Sequence, residues 1–88
     1  KMADVKVGKI THYYDKIGVA VLAVSEAPLK TGETIKIIDK EGNELFTQEV
    51  TSMQAEHQNI PEAKVGEEVG LKVEQEVKEG DEVYKVTA

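Results

Sequence analysis

The stretch that most constrains this chain is Ile17–Val24, eight consecutive residues without a polar side chain. It is too short to span a bilayer, which needs about 20 apolar residues, and its β-branched residues favour an extended strand over a helix. A strand that is apolar on both sides must be covered on both faces. We therefore expect it at the centre of a sandwich or inside a closed barrel, with the other strands covering it.

Composition limits the classes of protein to consider. The 88 residues are predicted to form a single domain, 1–88, and the absence of cysteine excludes disulfides and thiolate metal sites. With no leader or long apolar segment, we expect a cytoplasmic protein. Seventeen acidic residues against eleven lysines, with no arginine, disfavour generic nucleic-acid binding. The richness in Lys and Glu is typical of heat-adapted proteins.

Alternating hydrophobicity predicts six strands. They are expected over 5–14, 17–24, 34–39, 44–56, 68–73 and 81–87. Gly8 in the first strand predicts a bulge or a close backbone approach, and the Val50 to Met53 spacing predicts a bulge or a bend. A helix over 44–56 is the alternative for that segment. The segments 25–32 and 57–64 each contain a proline and are predicted loops.

The predicted fold is therefore all-β, a six-stranded closed antiparallel β-barrel, since closure removes exposed strand edges from so small a sheet. The inward pair of the third strand is predicted to be Ile35 and Ile37. No internal repeat is identified in the sequence.

No motif for catalysis or cofactor binding is present. Neighbouring acids such as Glu67 and Glu68 are expected to be solvated surface charges, and neither histidine has metal-ligand spacing. The phosphate-binding loops G-x-x-x-x-G-K-[ST] and G-x-G-x-x-G are absent. We expect a non-enzyme without cofactor, metal or bound nucleotide, and without a membrane association.

Aromatic and basic side chains interleave in one place, at His12, Tyr13, Tyr14 and Lys16. Such a patch suits an unpaired base that stacks on an aromatic ring while a lysine meets its phosphate. The alternative is that one tyrosine belongs to the core and the other to the strand surface. The full predicted partner-contact surface comprises His12, Tyr13, Tyr14, Lys16, Gln54 and His57.

Several blocks of sequence together resemble a known domain. They are Gly18–Val21, Leu29–Ile37, Val50–Met53, Ala63–Leu71 and Val77–Val83. In this order they resemble the second domain of translational GTPases such as elongation factor Tu. The chain is also similar to stand-alone elongation-factor-like proteins and to the barrel at the C-terminus of some U32-type peptidases. The resemblance implies a barrel of the translation-factor domain II type without catalytic residues.

The residues that hold the aminoacyl end of tRNA in elongation factors are poorly matched. The family's glycine-and-arginine turn corresponds to Ala23–Ala27, its acid-Met-aromatic-Arg run matches only at Met53, and Glu68 stands in place of an asparagine. Two hypotheses follow. The first is a ribosome- or RNA-associated binding module; the alternative is a protein-interaction barrel that serves a separate enzyme, such as a U32 peptidase-like or RNA-modifying partner.

Overall fold

The structure is a computed structural model that describes residues 3–87, and the statements below refer to these residues. It contains ten strands and no helix. The strands are β1 (Ala3–Tyr14), β2 (Val19–Val24), β3 (Leu29–Lys30), β4 (Thr34–Ile38), β5 (Glu44–Glu49), β6 (Met53–Ala55), β7 (Gln58–Asn59), β8 (Glu62–Ala63), β9 (Glu68–Lys72) and β10 (Glu82–Thr87). The all-β prediction is confirmed, and the helical alternative for 44–56 is wrong. Across these residues, nothing helical is long and apolar enough to cross a membrane.

Eight of the strands form one antiparallel sheet in the order β5-β4-β10-β1-β2-β9-β6-β7, and β3 pairs with β8. In the described part of the chain no backbone ladder joins the outer strands β5 and β7, so the closed six-stranded barrel is not confirmed. A side chain bridges part of the opening. The buried Gln48 of β5 donates from Nε2 to the Lys72 carbonyl (2.9 Å) and accepts from the Glu74 N–H at Oε1 (2.8 Å).

The sheet encloses one apolar core. Alternating residues of β2, β4, β5 and β9 point into it, and the predicted inward pair Ile35 and Ile37 is fully buried. The core consists of Val7, Ile10, Ala20, Leu22, Val24, Leu29, Ile35, Ile37, Phe46, Val50, Met53, Ala63, Val69, Leu71, Val73, Val77 and Val83.

The apolar run forms strand β2, as predicted, and lies between β1 and β9. Its inward residues Ala20 and Leu22 are fully buried. The outward residues Val19 and Val21 are only half-buried, so the expectation that both faces are covered is wrong for the outer face. An apolar outer face therefore remains at the centre of the sheet.

Gly8 allows β1 and β2 to approach each other closely. A Cβ at this position would lie 1.9 Å from the carbonyl oxygen of Ala23. The pairing of β1 with β10 shifts register between Lys6 and Gly8, so both the predicted bulge and the predicted close approach are confirmed. A second shift, between Ile10 and His12, occurs in the pairing with β2.

The prediction of one long strand over 44–56 is wrong, because the segment does not form a continuous strand. It divides into β5 and β6, which lie near opposite edges of the sheet. Between them Val50 donates to the Glu33 carbonyl (2.8 Å) and accepts from the Gly32 N–H (2.8 Å), and these bonds turn the chain. The predicted bend between Val50 and Met53 thus lies where the strand ends.

The two predicted loops also contain short strands. In segment 25–32 the pair Leu29–Lys30 forms β3, and it bonds to β8 from segment 57–64. The latter segment also contributes β7, which makes a hairpin with β6. Two-residue strands carry too little periodicity to be found from sequence.

Three turns share the four-residue pattern Lys-x-Gly-acid. They span 30–33, 64–67 and 78–81 and precede β4, β9 and β10. In each, the glycine has φ between 91° and 97°, a conformation that favours glycine. In each, the acid accepts a hydrogen bond from the N–H of the lysine, at 2.7, 2.7 and 2.8 Å. The acids Glu33, Glu67 and Asp81 therefore serve to close turns.

Candidate interaction surface

The predicted aromatic cluster is divided between the two faces of β1. Tyr13 packs against the core, whereas Tyr14 is 50% exposed and His12 also faces outward. The rings of His12 and Tyr14 lie against each other, with centroids 4.4 Å apart and planes tilted by 58°. The exposed aromatic pair is therefore His12 and Tyr14, which occupy alternate positions on one face.

One of the distant predicted residues shares this face. Cross-strand pairing places His12 opposite Val21, Val21 opposite Gly70, and Gly70 opposite Gln54. Residues paired in this way point to the same side of the sheet, and strands lie about 4.8 Å apart. Gln54 is therefore about 14 Å from His12, with no side chain at Gly70 to fill the space between them.

His57 and Lys16 lie in turns. His57, with φ of 66°, follows Glu56, with φ of 52°, in the turn between β6 and β7. Lys16 is exposed in the turn between β1 and β2, which Lys72 fastens by donating from Nζ to the Ile17 carbonyl (3.0 Å). The six predicted residues thus do not form one cluster. His12, Tyr14 and Lys16 adjoin, Gln54 shares their face, Tyr13 is directed inward, and His57 is at a hairpin tip.

Elsewhere on the surface, acidic side chains form ion pairs with several lysines. Lys6 lies 3.3 Å from Glu82, and this hydrogen bond raises the pKa of the lysine. Lys36 bonds to Asp4, which likewise raises its pKa. Lys85 lies 3.9 Å from Glu33. These lysines lie in cross-strand rows at the start of β1, whereas His12 and Tyr14 lie in the rows of Val21 and Val19 at its end, so they form no basic cluster beside the aromatic pair.

Close to the aromatic pair, the charges are sparse and mixed. His12 Nδ1 is 4.0 Å from Glu79 Oε2, and both side chains are mostly exposed. Lys72 is already bonded to the Ile17 carbonyl. Both Lys72 and the exposed Lys16 of the neighbouring turn keep their positive charge, since a bond to a neutral carbonyl does not neutralise an ammonium group. Two lysines beside Glu79 are still few cations for a run of phosphates.

Sequence reasoning missed the apolar residues around the aromatic pair. We define the β1–β2 patch as Tyr14, Ile17, Val19 and Val21. Ile17 is 59% exposed in the turn, and Val19 lies directly opposite Tyr14. The available signal was the unbroken apolar run itself, which we assigned to a fully covered strand. Because side chains alternate between the faces of a strand, an unbroken apolar run also places apolar side chains on the outer face.

An open groove of about 230 Å³ lies between the β4–β5 turn and the turn at 78–81. Two of the four acidic residues that line it, Asp39 and Asp81, accept hydrogen bonds from backbone N–H groups. Asp39 accepts from the N–H groups of Asn43 (2.8 Å) and Glu41 (2.9 Å), and the bond from Asn43 is the main reason that the pKa of Asp39 is lowered. Asp81 accepts from the Lys78 N–H. Among residues 3–87 no three His, Asp or Glu side chains converge as a metal site.

Comparison with known proteins shows similarity to a protease and to a peptidase domain. No family model matches the chain. It is 38% identical over 84 residues to an uncharacterized protease of Methanocaldococcus jannaschii; the match covers 96% of this chain and 20% of the protease. The chain thus spans about a fifth of the length of that curated relative.

Solved structures show the same fold. The C-terminal domain of a Geobacillus thermoleovorans protein assigned to the U32 peptidases superposes with a TM-score of 0.80 at 18% identity, covering 90% of this chain and 89% of that one. Its selenomethionine variant gives 0.79 at 18% identity, covering 89% and 95%. The U32-type part of the resemblance is supported, and nothing in these comparisons supports an elongation-factor identity.

Proposed function

We propose that this chain is a non-catalytic accessory module of a U32 peptidase-like protein and acts by contacting other protein. The observation that carries this proposal is the match of 84 residues, at 38% identity, to one fifth of a protease. A segment of that size can be a module appended to a larger body. The same fold in the C-terminal domain of a protein assigned to the U32 peptidases supports this assignment.

The chemistry of the described residues supports a binding role. Three acids of the Lys-x-Gly-acid turns accept bonds from backbone N–H groups, and Asp39 does the same in the β4–β5 turn. These carboxylates are occupied in closing turns, and in Asp39 the hydrogen bond from Asn43 also lowers the pKa. The exposed β1–β2 patch offers apolar contacts, which suit association with protein.

A hydrolysis assay tests the non-catalytic part. The isolated chain should release no more peptide from fluorescently labelled casein than buffer does, over the same time and temperature. Release that rises in proportion to chain concentration, and that persists after repurification, would make the chain an enzyme and overturn the proposal.

A salt series tests the competing RNA hypothesis. Binding of the purified chain to tRNA and to ribosomal subunits is measured from low to physiological salt. Each phosphate contact contributes a slope of about one log unit of affinity per log unit of salt. We expect no binding at any salt concentration. Salt-sensitive binding that Tyr14→Ala weakens, while Tyr84→Ala does not, would favour the RNA-facing module instead.

A further inference from the structure

The outer surface of the sheet has two different halves. Across β1, β10 and β4 the charges pair with one another: Lys6 lies 3.3 Å from Glu82 and 3.5 Å from Glu26. Lys36 in the same half contacts Asp4 and lies 3.7 Å from Glu44. The half formed by the end of β1, the following turn and β2 instead exposes Tyr14 and Ile17 of the β1–β2 patch, with the partly buried Val19 and Val21 beside them. A partner that covers the charged half must break ion pairs, whereas one that covers the patch removes apolar surface from water.

We propose that the β1–β2 patch is the surface through which the module docks onto the body of the U32 peptidase-like protein that carries it, an inference that rests on the proposed function. Tyr14 and Ile17 are about half exposed. With a whole aromatic side chain at about 150–250 Å², the patch offers on the order of 200–300 Å² of apolar surface. A standard stable interface buries about 800 Å² per partner. The patch alone is therefore too small to hold a second copy of the chain or a freely diffusing protein.

A covalently linked partner needs much less surface. A short linker holds the two domains at an effective concentration in the millimolar range, so even a weak contact between them is formed most of the time. In the curated relative, the rest of the polypeptide can be such a linked partner, because the match covers only 20% of its length. The size of the patch thus fits a neighbouring domain of the same polypeptide.

The shape of the patch indicates the chemistry of the contact. Gly70 lies between Val21 and Gln54 in one cross-strand row, and a Cβ at Gly70 would come within 3.3 Å of Val19 Cγ1. The space above Gly70 is thus already occupied by the Val19 side chain. Beyond it, Gln54 already donates to Asn59 (3.2 Å). An uncharged apolar or aromatic side chain of the peptidase body would therefore contact Val19 and Val21 directly, with no side chain of residue 70 in the way.

The lack of cysteine allows a direct test by thiol labelling. The chain is grafted into the full-length Methanocaldococcus jannaschii relative in place of its matching segment. Ile17→Cys reports on the patch, and Thr47→Cys, exposed on β5, is the matched control. Alkylation rates are read peptide by peptide by mass spectrometry, in the graft and in the isolated chain. Unchanged thermal unfolding of the isolated variants confirms that they fold.

We expect Ile17→Cys to react at least tenfold more slowly in the graft than in the isolated chain, with Thr47→Cys unchanged. Protection of Thr47→Cys alone would overturn the assignment of the surface while leaving an accessory module that docks elsewhere. If each position reacts at the same rate in the graft as in the isolated chain, the docking proposal is overturned. The proposed accessory module would then have no identified contact surface. Independently, sedimentation should show the isolated chain as a monomer; a dimer that Ile17→Lys dissociates would also overturn the inference.

Discussion

The side chain of Gln48 takes the place of a backbone ladder, and its removal should be costly. It is 6% exposed and makes two hydrogen bonds from β5 to the chain just after β9, at 2.9 Å to the Lys72 carbonyl and 2.8 Å from the Glu74 N–H. No other bond of this kind spans this opening among the described side chains. Gln48→Leu keeps the approximate size of the side chain and removes both bonds.

The expected loss follows from the number of bonds. Each net hydrogen bond contributes about 1 kcal/mol, and each buried backbone group left without a partner adds about 1–3 kcal/mol. Lys72 and Glu74 are themselves exposed, so water can reach part of this region and the cost is at the lower end. We expect Gln48→Leu to lower the free energy of unfolding by about 2–3 kcal/mol. For a domain of this size that is a fall in Tm of roughly 10–20 °C.

Urea and thermal unfolding followed by circular dichroism measure this loss, and the urea m-value should stay unchanged. The matched control is Gln54→Leu on β6, where an exposed amide donates to Asn59 and the expected change is below about 0.5 kcal/mol. A loss below about 0.5 kcal/mol for Gln48→Leu, or equal losses for both variants, would refute the argument that Gln48 bridges the sheet.

Gln48→Glu separates hydrogen bonding from packing. A carboxylate can still accept from the Glu74 N–H, but it faces the Lys72 carbonyl oxygen without a proton to donate. The folded state should therefore raise the pKa of the introduced acid. The variant should be less stable than the parent at neutral pH, and the difference should shrink as pH falls through that raised pKa. A difference independent of pH would point to packing instead.

Three further predictions concern the backbone and the β4–β5 turn. Gly8→Ala should cost about 1–3 kcal/mol in urea unfolding, because its methyl group would meet a carbonyl oxygen at 1.9 Å; an unchanged midpoint would contradict the close approach. Replacing Glu56 and His57 by Asn and Gly should raise the free energy of unfolding by about 1 kcal/mol, because both have positive φ; a lower Tm would show that their side chains stabilise the hairpin. The pKa of Asp39 is lowered from 3.8, chiefly by the hydrogen bond from Asn43. The charged carboxylate therefore stabilises the fold above about pH 4, and this stabilisation is lost as the pH falls through the pKa of the folded state. Asp39→Asn should therefore lower Tm at pH 6 and make little difference near pH 2; the same deficit at both pH values would contradict this.

Local alternation predicted much of the core. Ile35 and Ile37 are separated by one residue on a regular strand, and both are buried as expected; Val69 and Leu71 have the same spacing on β9 and are also buried. Such pairs depend only on the pleat of the strand. The division of 44–56 could not be predicted in this way. It depends on bonds between Val50 and the distant segment 32–33, which no local pattern records.

The face of each aromatic residue in β1 could not be predicted for a related reason. The inward residues of this strand are Val7, Ile10 and Tyr13, three apart instead of two. At each of its two register shifts β1 contains one extra residue, so the side chains that follow point to the face opposite the one that strict alternation predicts. Gly8 signalled the first shift, and the sequence carried no comparable signal for the second. The choice between Tyr13 and Tyr14 for the exposed ring therefore needed the structure.

The position of β10 has a consequence for biosynthesis. This strand lies between β1 and β4, and it joins the pair β4 and β5 to the five strands that begin with β1. Until residues 82–87 leave the ribosome, the nascent chain holds two separate pieces, each with an open edge where β10 will lie. Pairing between residues so far apart in the chain is slow, because the loop must close before any contact is gained. Assembly of the sheet should thus be a late event in the synthesis of this domain, and chains halted before residue 82 should be prone to aggregate.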